Sequence, residues 1–128
     1  MIQIDNADVE SARKLAALLE AKKDAARTED AYRRLVAADP FDSKAQTALG
    51  RLAMARKDTP LALRSFRSAL ATKPADLAAA HADLAEALLA NGQPAEAKRA
   101  TLEALEIAPS FERAQDLLLK IAESPGTR

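Results

Sequence analysis

Leucine recurs at Leu15, Leu49, Leu84 and Leu118, at separations of 34, 35 and 34 residues. Prolines keep the same interval at Pro40, Pro74 and Pro109. Small residues fall in step between them, first Ala16, Gly50 and Ala85, then Thr28, Ala62 and Ala97. Tyr32 and Phe66 come next, with Thr101 in the third copy, and one extra residue near Leu77 is the only offset. A period of this length means one supersecondary unit repeated. A unit so small cannot bury its own apolar face, so the copies must stack.

Each unit carries two sets of helix punctuation. Asp42 and Asp76 are candidate N-caps for first helices, and Ser110 for the last one. Thr59-Pro60 and Gln93-Pro94 place proline at the start of second helices, where its missing N–H costs nothing. Asn91-Gly92 offers a residue able to take the left-handed conformation that ends a helix. The pattern predicts helices at about 7–22, 28–38, 43–56, 60–72, 77–90, 94–107 and 111–123. With 32 alanines and 3 glycines in 128 residues, the composition favours helix throughout.

The small residues have a steric reason. Antiparallel helices at short separation need low sites where they cross. Gly50 is expected to face Ala62 within one hairpin, while Ala69 makes room for the next and Leu49 and Phe66 fill the space alongside. In the last helix, Leu118 is expected to continue the core row with Ala114, Ile121 and Ala122. Leu119 stands where Ala16, Gly50 and Ala85 stood, as suits a terminal cap with no partner helix to follow.

The run Leu49-Gly50, Ala62, Phe66, Ala69 and Pro74 resembles a tetratricopeptide repeat. Leu84, Ala85, Ala97, Ala104 and Pro109 make a second match, with Thr101 where an aromatic is usual. The first unit departs most, having Thr28 and Leu35 where alanine is expected. The resemblance implies an all-α, right-handed superhelical array. It would comprise repeats at about 7–40, 42–74 and 76–109 and a capping helix at about 111–123, in a single domain over 1–128. Pentatricopeptide repeats, which bind RNA, have a similar length but match less well. A segment at 96–121 is also similar to C-terminal repeats carried by some bacterial zinc peptidases of the gluzincin type.

Composition narrows the function. Lys plus Arg equals Asp plus Glu at 19 each, which removes the basic field needed for non-specific nucleic-acid binding or a polybasic membrane anchor. No apolar stretch approaches the roughly 18 residues of a membrane span. Without cysteine there is no disulfide, thiolate metal site or Cys nucleophile. The lone His81 lies on the apolar side of its helix with Leu84 and Ala85 at the following same-face positions, which suits packing better than metal binding. Glu29-Asp30 fall in an expected first helical turn, where the macrodipole favours acids. No catalytic residue, metal site or cofactor site is expected, and the chain reads as no enzyme. The start lacks the basic and apolar regions of a signal peptide. A cytoplasmic location is expected if the chain is full length, and a periplasmic or secreted one if it is excised from a larger protein.

What remains is a surface. The resemblance implies that first helices line a concave groove holding a peptide or partner segment. Lys44, Thr47, Arg51 and Met54 are spaced to form one stripe on a helix. Flanking stripes are Glu10, Arg13, Ala17 and Glu20 before it, and Ala79, Ala82, Glu86 and Leu89 after it. The expected peptide groove therefore comprises Arg13, Lys44, Thr47, Arg51, Met54, Glu86 and Leu89, basic in its middle, with an acidic partner of modest, salt-sensitive affinity. Chaperone-binding members hold a C-terminal carboxylate with Lys, Asn and Arg. Here Arg13 can stand for one of these, but Ala17, Ala48, Ala79 and Asp83 occupy the other places, so that clamp is absent. The expected function is a non-enzymatic interaction scaffold, monomeric, with a dimer as the alternative. A homo-oligomerisation module and an accessory segment of a larger bacterial enzyme such as a peptidase are the alternative functions.

Overall fold

The computed structural model describes residues 6–123. The described residues form seven helices: α1 (Asn6–Ala21), α2 (Ala25–Ala38), α3 (Ser43–Ala55), α4 (Thr59–Ala71), α5 (Leu77–Ala90), α6 (Pro94–Ile107) and α7 (Glu112–Glu123). Helices α1 and α2, α3 and α4, and α5 and α6 pack as hairpins, and each hairpin stacks on the next through α2 against α3 and α4 against α5. The last helix lies on α6 and also reaches α5.

The three hairpin turns share one hydrogen-bonding scheme. The amide after each left-handed residue bonds back across the helix end, from Asp24 to Leu19, Asp58 to Ala53 and Gln93 to Leu88. The left-handed residue is Lys23 at φ 59°, Lys57 at φ 66° or Gly92 at φ 76°. This is a C-terminal helix stop in which the closing residue is also the N-cap of the following helix. Asp24 and Asp58 accept from the amides of Arg27 and Leu61, while Gln93 makes no side-chain cap.

These turns revise the expected boundaries. Helix α2 starts at Ala25, three residues before the expected position, because Asp24 caps it and two alanines follow. Glu29 consequently lies beyond the first turn, and it is hydrogen-bonded by Arg56 and Arg33 instead of serving the helix dipole. Asp42 and Asp76 cap as expected, accepting from Ala45 and Ala79. Ser110 sits in a turn, and the carbonyl of Phe111 accepts the first bond of α7.

The core runs through the second and third hairpins, around Leu49, Phe66, Ala82, Ala85 and Leu88, and ends on Leu117 and Ile121 of α7. The leucine row is not uniformly buried. Leu49 is 3% exposed but Leu15 is 52% exposed. In α7 the inward leucine is Leu117 and not Leu118, and Ala122 is exposed. At Gly50 the three atoms nearest a Cβ position all belong to the Phe66 ring.

Candidate functional site

Side chains seven apart on an α-helix share a face two turns apart. On α3 this brings Lys44, Thr47 and Arg51 to one wall of an open cleft of about 590 Å³. Asp76, Ala79 and Asp83, from the N-cap and first half of α5, line it as well, together with Ala48, Leu52 and Pro74. Glu20 of α1 and Tyr32 of α2 also line it. A second cleft of about 460 Å³ adjoins it, lined by Glu10, Arg13, Leu35, Asp42 and Ala45. Tyr32 and Lys44 line both.

The charges in this groove are mostly committed. Arg13 donates to Asp42 at 2.9 Å and to Glu10, which pushes its pKa up through the Asp42 bond first. Asp83, 2% exposed, accepts from Arg113 of α7 at 2.6 Å and lies 3.5 Å from the Arg51 guanidinium. Arg113 also donates to Glu86 at 3.0 Å. Burial opposes the charge on Arg113, but its bonds to Glu86 and Asp83 outweigh burial and raise its pKa. Lys44 is different: it is exposed and has no ion-pair partner among the described residues.

The expected site is therefore divided. Lys44, Thr47 and Arg51 line the large cleft, and Arg13 lines its neighbour. Met54 and Leu89 are partly buried and pack against the core, and Glu86 is occupied by Arg113. Ala82, read as part of the α5 face, is fully buried, and that face presents Asp83 instead. The middle of the groove is mixed in charge, because Glu20, Asp76 and Asp83 accompany Lys44 and Arg51.

Tyr32 was visible in the sequence only as a repeat marker. Its hydroxyl donates to Glu20 at 3.0 Å, and burial, aided by that carboxylate, pushes its pKa up to about 12. The signal lay in its chemistry, since a tyrosine in an apolar setting needs a partner for its hydroxyl. His81 lies outside both clefts. Its Nδ1 is 3.2 Å from Glu103 without the geometry of a hydrogen bond. Among the described residues, no group of acidic or histidine side chains is arranged to hold a metal ion, and no helix is long and apolar enough to cross a membrane.

Residues 53–121, more than half the chain, match the family described as tetratricopeptide repeat. The chain belongs to the tetratricopeptide repeat family. No curated protein sequence matches it closely enough to count as a relative. Among solved structures, the tetratricopeptide array superimposes on the first such domain of Spaghetti (RPAP3) bound to the HSP90 peptide SRMEEVD. That match has a TM-score of 0.83 and 20% identity, covering 96% of this chain and 97% of that one. The Yersinia enterocolitica type III secretion chaperone SycD, in complex with a peptide of the translocator YopD, aligns with a TM-score of 0.81 and 23% identity, covering 95% and 98%. A Thermobaculum terrenum O-GlcNAc transferase aligns with a TM-score of 0.76 and 28% identity, covering 94% of this chain but 23% of the transferase. These likenesses establish the right-handed superhelical array of hairpins.

Proposed function

We propose that this chain is a non-enzymatic interaction module that holds a short peptide segment in the groove between α3 and α5. The observation that carries this is Lys44, a cation with no ion-pair partner among the described residues, in a cleft also lined by Ala48, Leu52 and Pro74. Such a site suits a segment carrying a carboxylate next to an apolar side chain. One anionic contact is proposed instead of two, because Arg51 is already beside Asp83. The peptide named for the similar RPAP3 domain is acidic and contains apolar residues, which supports the class of ligand. A different mode of binding is implied here, since Ala17, Ala48, Ala79 and Asp83 replace the carboxylate clamp.

The test is a peptide selection against the purified protein and its Lys44→Glu variant. Peptides enriched on the unaltered protein should combine Asp or Glu with an apolar residue, and raised salt should weaken them. The exposed charge is worth about 1 kcal/mol or less, so reversing it should lower affinity by several-fold and leave the helical fold unchanged. Enrichment of peptides without acidic residues, or equal capture by Lys44→Glu, would refute the reading.

A second reading has one observation in its favour. The array aligns with a segment forming 23% of a transferase, so we also propose that such an array can serve as one segment of a longer enzyme. The full reading frame of the gene tests this: a catalytic domain in the same frame would establish it, and a frame ending with this array would exclude it.

A further inference from the structure

In the second hairpin the aromatic side chain of α4, Phe66, is 2% exposed. Its ring lies so close to α3 that a Cβ on Gly50 would come within 2.5 Å of it. Tyr32 and Ala16 hold the corresponding places in the first hairpin, each 34 residues earlier. Ala16 has the Cβ that Gly50 lacks, so a ring at position 32 cannot settle where the Phe66 ring does. The third hairpin avoids the conflict with the small pair Ala85 and Thr101. The first keeps its ring, and Tyr32 is only half-buried, with its hydroxyl on Glu20 and its side chain lining both clefts.

We propose that Tyr32 is a recognition residue of the groove, marking with Lys44 the point where a bound peptide passes from one cleft into the other. The inference rests on the peptide-binding reading above and adds the contact that selects the peptide. An apolar side chain of the ligand packs on the Tyr32 ring, and the neighbouring carboxylate meets Lys44. The hydroxyl meets Glu20 at 3.0 Å, while the ring face supplies the contact. An aromatic ring loses little conformational freedom on binding and offers a large contact area, which is why such anchors dominate recognition.

The chain supplies its own reporter, since it has 1 tyrosine and 0 tryptophan. The probe is a set of synthetic peptides of Glu, Leu and Gly, free of aromatic residues, titrated into the protein with calorimetry and tyrosine emission read in parallel. Both signals should give the same Kd for peptides that bind. Tyr32→Ala should weaken binding about tenfold, while Tyr32→Phe, which keeps the ring, should stay within about twofold. If calorimetry shows Lys44-dependent binding while tyrosine emission stays flat, or Tyr32→Ala binds at full strength, the role of Tyr32 falls and the groove reading survives. If no peptide binds the unaltered protein, both fail. Should Tyr32→Ala not fold, the emission titration of the unaltered protein decides alone.

Discussion

The edge of the Phe66 ring fills the space that a side chain on residue 50 would need: Cε1, Cδ1 and Cζ lie 2.5, 2.6 and 2.9 Å from that Cβ position. Glycine costs a helix about 1 kcal/mol relative to alanine, so Gly50→Ala would stabilise an isolated α3. In the folded protein the order is expected to reverse, because the Phe66 ring in the way is itself buried, 2% exposed, within the core. Overpacking of this kind costs about 1–3 kcal/mol. Gly50→Ala should therefore lower the urea midpoint, and Phe66→Leu in the same chain should restore part of the loss. Equal stability of Gly50→Ala and the unaltered protein would show that the ring can move aside.

Lys57 and Lys23 hold left-handed backbone at turns where the third hairpin has Gly92. A side chain there costs about 1–2 kcal/mol through its Cβ; glycine removes that cost but gives the unfolded chain more entropy to lose on folding. Lys57→Gly should raise stability by about 0.5–1 kcal/mol. Gly92→Ala, its mirror, should lower stability by a similar amount, although nothing lies within 4 Å of the Cβ it would add. Thermal unfolding of the two variants checks both signs.

How much of this was legible in sequence depends on how far apart the interacting residues lie. The repeat, its small sites and the α3 stripe were readable, since each depends on spacing within one helix or one period. Asp24 and Asp58 escaped as caps because each also closes the preceding helix. The third stripe was partly misplaced, since Ala82 is buried and Asp83 lies beside Arg51 of α3. The Arg51–Asp83–Arg113 cluster joins three helices, and the Tyr32–Glu20 bond joins two. Neither leaves a local pattern, since stacking alone brings their members together.

The first hairpin should open before the others. Stacked repeats are stabilised mainly by their neighbours, and α1 leaves Leu15 and Leu18 more than half exposed, at 52% and 53%. It is joined to the second hairpin partly by ion pairs such as Arg13 to Asp42, in which the arginine is 42% exposed, and half-exposed pairs of this kind contribute little. Amides of α1 and α2 should exchange hydrogen sooner than those of α3 to α6, and mass spectrometry of quenched peptides would resolve the difference. Uniform protection across α1 to α6 would contradict it.

Glu29 should give the stability of the array a dependence on acid. Its carboxylate accepts from Arg56 of the next hairpin, the leading cause of its lowered pKa, and from Arg33, while burial acts in the opposite direction. Arg56 is held in turn by Asp58, the N-cap of α4. In the unfolded chain Glu29 takes up a proton near its ordinary value of 4.5, whereas the folded state resists until a lower pH. Within that window the unfolded state binds more protons, so stability falls as pH falls. The contribution is complete above pH 4.5 and is lost through the lowered folded value. Other carboxylates titrate in the same range, so the difference between the unaltered protein and Glu29→Gln isolates this one. The unaltered protein should be the more stable near neutrality, and the gap should close in acid and shrink in high salt. In an Arg56→Met background the gap should already be smaller at neutral pH, leaving only the share due to Arg33. A gap that stays constant from neutral pH into acid would mean that Glu29 acts through packing and not through its charge.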